Sequence, residues 1–197
     1  VDTYGMTIPI TKHNFLVRSA KDLLEVIPAA FRIAMSDRPG PVLVDVPKDV
    51  QNQMVSFDAY PDVVLPDAAP TFDIAAVEEA AKMIEAAERP VLYLGGGVIH
   101  SGAAAMAVTL AEQASLPTTM TLMALGAMPM DHPLAIGMLG MHGARYTNYV
   151  LEEADLLICV GARFDDRAIG KTAEFCPNAK IIHIDIDRSE LHKVKNA

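Results

Sequence analysis

Two kinds of hydrophobic pattern alternate along this chain, and their order sets the expected fold. The first kind is a short unbroken apolar run. Leu156-Leu157-Ile158-Cys159-Val160 is the clearest, and residues 91–94 (Val-Leu-Tyr-Leu) are a second. Such runs are too short for a stable helix and suit strands buried on both faces. Residues 42–46, rich in β-branched side chains, read as another strand, as do 117–120 and 181–186. The second kind repeats at helical spacing. Residues 15–35 carry Phe15, Leu23, Leu24, Ile27, Ala30, Phe31 and Ala34, which predicts a helix, kinked or divided at Pro28. Residues 74–87 place Val77, Ala80, Ala81 and Ile84 on one face, 103–114 predict another helix, and 146–153 part of a third. Residues 1–13 show no clear period. From residue 74 onward, helices alternate with apolar strands. That order predicts an α/β fold with a parallel sheet covered by helices on both faces, Rossmann-like in class.

The punctuation between these segments suggests domains. Arg38-Pro39-Gly40-Pro41 is a rigid turn feeding the strand at 42–46, and 47–50 ends it. Helix, turn and strand read as the last αβ unit of a domain over 1–50. Residues 51–73 hold Pro61, Pro66 and Pro70 in a polar, acidic stretch and read as a linker. Residues 74–197 make the second domain. The chain opens on Val1 in an unfinished-looking stretch and closes on a charged, helix-like segment at 189–195. The expectation is a piece of a longer polypeptide.

Composition narrows the function classes. Of 197 residues, 51% are hydrophobic, enough for a sizeable core, with Trp absent and 11 Met contributing apolar volume. No run reaches the ~18 apolar residues that a membrane span requires. No basic leader precedes an apolar segment, so a cytoplasmic location without membrane association is expected. Cys159 and Cys176 are too few for a disulfide framework, and Cys159 reads as a small buried side chain. The net charge of -9 speaks against a nucleic-acid partner. It leaves room for one anionic cofactor in a local basic pocket.

Candidate chemistry lies at the ends of the strands. Gly95-Gly96-Gly97 follows a strand and precedes a helix, the context of a phosphate-binding turn. The third dinucleotide glycine is replaced by His100, and Met120 and Thr121, about twenty residues on, supply no ribose-binding acid, so the nicotinamide signal is weak. A ligand-free turn fits the same residues. Residues 137–143 (GMLGMHG) let the backbone lie against a flat apolar body, and plain tight packing fits them too. His142 lacks a Cys or His at metal-ligand spacing and reads equally as a helix-cap histidine. Arg163, Asp165, Asp166 and Arg167 crowd the end of the 156–160 strand, where ligands of open α/β sheets bind. An arginine there reaches a pyrophosphate or carboxylate bidentately, whereas a surface salt-bridge cluster would look the same. Asp185 is placed for a ribose or adenine edge, and Asp187 for a cap on a helix opening at Arg188 or Ser189. No complete catalytic set is visible.

The segments 38–49 (RPGPVLVDVPKD), Gly95-Gly96-Gly97, 137–143 (GMLGMHG) and 161–167 (GARFDDR), with Thr11-Lys12-His13, closely resemble the catalytic large subunit of the acetohydroxyacid (acetolactate) synthase family. The resemblance covers essentially the whole chain. It implies a thiamine-diphosphate enzyme joining a pyruvate-derived unit to pyruvate or 2-ketobutyrate in branched-chain amino-acid synthesis. Residues 1–50 would end the pyrimidine-binding domain, and 74–197 would be the central domain, which binds FAD without a net redox role. The catalytic glutamate and the motif for thiamine diphosphate and Mg2+ would lie outside this chain, leaving it inactive alone. The resemblance implies FAD contacts from Arg38, Gly95, Gly96, Gly97, Thr121, Leu122, Leu139, Gly140, Met141, His142, Gly161, Ala162, Arg163, Asp165, Arg167, Asp185 and Ile186. It places Lys48, Met141, Asp166 and Arg167 at the substrate channel, where sulfonylurea and imidazolinone herbicides bind in sensitive members. It implies a homodimer or homotetramer with a regulatory small subunit, and no metal held by this chain. The alternatives are a scaffold domain that no longer binds cofactor and a nicotinamide-dependent dehydrogenase domain.

Overall fold

The computed structural model describes residues 1–62 and 71–197. It divides into two compact units, Val1–Thr71 and Phe72–Ala197. Part of the expected linker, with Pro66 and Pro70, lies outside the described residues.

The first unit opens with helix α1 (Thr3–Thr7), where the Asp2 carboxylate accepts from the Gly5 N–H at 2.9 Å. Strand β1 (His13–Leu16) pairs in parallel with β2 (Val42–Asp45), and helix α2 (Leu23–Met35) connects them. The helix expected over 15–35 therefore starts only at Leu23. Phe15 is a strand residue paired with Val44, a long-range partner that local periodicity cannot see. A capping box starts the helical region: Asp22 accepts from the Ser19 N–H and Oγ, each at 3.0 Å. Helix α2 runs on through Pro28. A short helix, α3 (Lys48–Gln51), follows β2.

The second unit contains α4 (Ile74–Ala86), β3 (Pro90–Leu94), α5 (Gly96–His100), α6 (Ala104–Gln113), β4 (Thr118–Met120), β5 (Ala135–Met138), α7 (Arg145–Glu153), β6 (Leu156–Val160), α8 (Asp166–Ile169) and β7 (Lys180–Ile184). The sheet is parallel throughout, in the order β5-β4-β3-β6-β7. Alternation along the strands builds two cores. Val91, Tyr93, Leu157, Cys159 and Ile181 face one way and pack with Leu151 and Ala154 at the end of α7, and with Phe164 and Phe175. Leu92, Leu94, Leu156 and Ile158 face the other way, against Ala107 and Ala111 of α6, Val98 of α5 and Met83 of α4. Both faces are thus covered, which is why these strands read as unbroken apolar runs.

Strand β5 had no counterpart in the sequence reading, because Gly137 interrupts its apolar run. The strand expected over 181–186 stops at Ile184, and the helix-like segment at 189–195 holds a single 3-10 turn, Arg188–Glu190. Among the described residues, no helix is long and apolar enough to cross a membrane.

Candidate functional site

The chain runs outward from β3 to β4 and β5, then returns to β6 and β7 on the other side of β3. Strand order therefore reverses between β3 and β6, the place where open α/β sheets hold their ligands. The loops leaving those two strands meet. The Gly95 N–H donates to Val160 O and the Gly97 N–H to Gly161 O, both at 2.9 Å. A Cβ on Gly95 would stand 2.2 Å from Gly161 O, and one on Gly97 would stand 2.8 Å from the Gly161 Cα. Gly161 itself adopts φ +59. These glycines are required by the mutual approach of two loops, with no ligand invoked.

Beyond Gly161 the backbone alternates. Ala162 and Phe164 are buried, while Arg163 and Asp165 are exposed. The Phe164 ring packs against the rings of Tyr93, Phe175 and His183. The Arg163 guanidinium meets the Asp165 carboxylate at 3.1 Å, with both side chains near half exposed at 43% and 55%. An ion pair so open to water adds little stability. It does orient the guanidinium at the switch point.

The 137–143 turn lies on the same charged segment. Gly140 takes φ +83, and a Cβ there would stand 2.5 Å from Arg167 O. The Met141 N–H donates to that carbonyl at 3.1 Å. Asn148 of α7 brackets Gly140, accepting from its N–H at 2.9 Å and donating to its carbonyl at 3.1 Å. Met141 thereby lines one cleft with Asp166, Arg167 and Lys171, about 400 Å³ in volume. Leu139 is buried in the core. His142 is exposed, and the residue capping α7 is Ala144, so the helix-cap reading of His142 does not hold.

Two more loops reach the carboxyl edge. After β4, Thr121 buries its Oγ1 without a hydrogen-bond partner among the described residues, and Leu122 and Met123 are exposed. After β7, Asp185 accepts from the Asp187 N–H at 2.9 Å, flanked by exposed Ile184 and Ile186. Asp187 caps the following turn as expected, accepting from the Ser189 N–H at 3.0 Å. Arg38 and Lys48 belong to the first unit, where Arg38 O accepts from Lys12 Nζ at 3.2 Å and Lys48 opens α3. Among the described residues, no group of three or more His, Cys, Asp or Glu is placed to hold a metal.

Sequence reasoning passed over Tyr93, Asn148 and His183. Their available signal was a polar tip within or beside apolar runs, since such an atom needs a partner once buried.

A parallel sheet of reversing order, covered on both faces and edged by glycine and arginine loops, places this unit in the doubly wound, Rossmann-like class. Comparison with known proteins goes further. Residues 77–197 match the family model described as thiamine pyrophosphate enzyme, central domain, and the chain belongs to that family. It is 64% identical over 195 residues to the acetolactate synthase isozyme 1 large subunit of Escherichia coli (strain K12), covering 99% of this chain and 34% of that protein. It is 47% identical over 198 residues to the probable acetolactate synthase large subunit of Methanocaldococcus jannaschii, covering 98% of this chain and 34% of that protein. It is 50% identical over 198 residues to the acetolactate synthase of Mycobacterium bovis, covering 100% of this chain and 32% of that protein. The chain thus spans about a third of the length of the curated relatives it matches.

Proposed function

We propose that this chain is the FAD-holding central part of an acetolactate synthase large subunit. The parent reaction would decarboxylate pyruvate and join the remaining two-carbon unit to pyruvate or 2-ketobutyrate. The observation carrying the cofactor proposal is the convergence of four loops on one sheet edge. The loops after β3, β4, β6 and β7 bring exposed apolar side chains, a cation and an acid to that edge. The residues fit a long flat dinucleotide. Leu122, Met123, Ile184 and Ile186 offer apolar surface, Arg163 a fork for phosphate, Asp185 an acceptor for a ribose or adenine edge, and Thr121 a buried hydroxyl with no partner among the described residues. When bound, FAD would supply a rigid aromatic body without a net redox role. Gly95, Gly96, Gly97, Gly161, Ala162 and Asp165 would shape its bed, with Gly140, Met141 and His142 near the flavin.

Met141, Asp166 and Arg167 would line the substrate channel, Arg167 taking the 2-ketoacid carboxylate. The residues for thiamine diphosphate and Mg2+ are assigned to other parts of the parent, which would be a homodimer or homotetramer with a regulatory small subunit. A scaffold without cofactor is the second reading, favoured by the direct packing of Gly95 and Gly97 on Gly161. Flavin fluorescence quenching on titration separates the two. Saturable binding at about micromolar FAD supports the first, and no quenching at a hundredfold higher concentration overturns it. Acetolactate formation from pyruvate by the complete polypeptide tests the parent reaction.

A further inference from the structure

Tyr93, Cys159 and His183 form one row across three strands. Tyr93 is the register partner of Cys159, and Cys159 of His183. Tyr93 and Cys159 are 0% exposed, and the His183 side chain 1%. Each side chain meets a carbonyl of the loop that follows β6. His183 Nε2 lies 2.9 Å from Ala162 O, Cys159 Sγ donates to the same oxygen at 3.2 Å, and the Tyr93 hydroxyl donates to Arg163 O at 3.3 Å. A carbonyl only accepts, so Nε2 is the protonated nitrogen of His183, and its buried Nδ1 has no partner among the described residues. Burial pushes the Tyr93 phenol and the Cys159 thiol well above their ordinary values, so both stay neutral donors. Apolar residues would fill this row without burying polar atoms, so the row needs a reason beyond packing.

We propose that Tyr93, Cys159 and His183 are positioning residues that hold the carbonyls of Ala162 and Arg163 turned into the core. With two successive carbonyls held inward, the intervening backbone is fixed. The Arg163 side chain then projects from the exposed side of the loop, toward the carboxyl edge. A ligand phosphate would thus meet a guanidinium whose base is already ordered. The hold on the loop is independent of any ligand. Only the benefit to binding rests on the flavin reading.

The test uses the full chain and paired variants. Tyr93→Phe and His183→Leu each remove one donor, and His183→Gln keeps an N–H at similar reach. The ligand-free readout is amide hydrogen exchange of peptides covering 161–170. Exchange is expected to be about tenfold faster in the two deletion variants and near wild type in His183→Gln, with 118–120 unchanged in all three. The second readout is FAD affinity, expected to weaken about tenfold in the same two variants and recover in His183→Gln. Unchanged exchange at 161–170 in both deletion variants overturns the row. Faster exchange with undiminished FAD affinity overturns its positioning role. Faster exchange in a protein whose wild type binds no FAD supports the row and overturns the flavin reading instead. Should His183→Leu fail to fold, Tyr93→Phe, which removes a single oxygen atom, carries the same test.

Discussion

Gly95→Ala and Gly96→Ala separate loop packing from ligand approach within a single glycine triplet. A Cβ on Gly95 would lie 2.2 Å from Gly161 O, 2.4 Å from the Ala162 Cα and 2.5 Å from its Cβ. Carbon atoms prefer about 3.5–4.0 Å, so the two loops must part by roughly 1 Å. That movement stretches the 2.9 Å bonds from Gly95 to Val160 and from Gly97 to Gly161. Losing two such bonds costs about 2 kcal/mol, and the overpacking about 1–3 kcal/mol more. The sum, about 3–5 kcal/mol, is a large part of the roughly 5–15 kcal/mol that stabilises a typical domain. At roughly 3–5 °C per kcal/mol, the melting temperature should fall by about 10 °C or more. Gly96 differs: its tightest contact would be the Met123 Cβ at 3.1 Å, with the Met123 carbonyl at 3.7 Å and the His100 ring at 4.0 Å in ordinary contact, so a shift of a few tenths of an ångström accommodates the methyl. Gly96→Ala should stay within about 1 kcal/mol of wild type. Circular dichroism melts without added ligand measure both. If the glycines exist only to admit a ligand, both variants melt with wild type, and the packing argument fails. Equal losses in the two variants would refute it as well.

The remaining predictions concern single side chains. Arg163→Ala should weaken FAD binding about tenfold while shifting the melting temperature by no more than about 2 °C, since its ion pair with Asp165 is exposed; unchanged affinity in a fluorescence titration removes Arg163 from the site. Burial pushes the Cys176 thiol up to about 12 and the Cys159 thiol higher still, so neither should react with an aromatic disulfide reagent at pH 8 until the protein unfolds, and rapid labelling of the native protein contradicts this. Burial pushes the Asp155 carboxyl up, but the N–H groups of Glu88 and Arg89, at 2.7 and 2.9 Å, and the Arg89 charge outweigh it and leave the carboxyl below its usual range. The folded value lies below the unfolded one, so this stabilisation is full above about pH 4 and is lost as pH falls through the folded value. Asp155→Asn should cost about 1 kcal/mol at pH 7, a charged hydrogen bond discounted for solvent access. Urea midpoints of variant and wild type should converge at low pH, and a gap constant from pH 7 to pH 2 would exclude the carboxylate as its source.

Legibility in the sequence followed the range of the interaction that decides each element. Strand β6 occupies 156–160 as expected, because an apolar run bounded by Asp155 and Gly161 is a local signal. Helix α4 was legible for a similar reason, with Asp73 accepting from the Ala75 N–H at 2.9 Å just ahead of it. Strand β1 was hidden, since Phe15 keeps helical phase with Leu23 and only pairing with β2 makes it a strand. The candidate site divides in the same way. The GARFDDR and GMLGMHG segments stood out by composition, yet nothing local says that Gly140 sits under Arg167 O or that Gly95 sits against Gly161 O. Those partners are distant in sequence and are joined by the sheet order alone.

The same packing constrains how this edge could hold an anion. In a dinucleotide fold the phosphates rest on free backbone N–H groups at a helix start. Here the Gly95 and Gly97 N–H groups are spent on Val160 O and Gly161 O, and the Gly161 N–H donates to Ile184 O at 2.8 Å. Helix α5, only 5 residues long, adds little dipole. Side-chain charge then takes over the part that those three amides would play. Arg163 is the cation on the β6 exit loop, and its carbonyl is held from below by Tyr93. Phosphate recognition of this kind depends on fork geometry as well as charge. Arg163→Lys should therefore recover only part of the affinity lost in Arg163→Ala, because an ammonium cannot bridge two phosphate oxygens in one plane. Full recovery by lysine would mean that this edge reads charge alone.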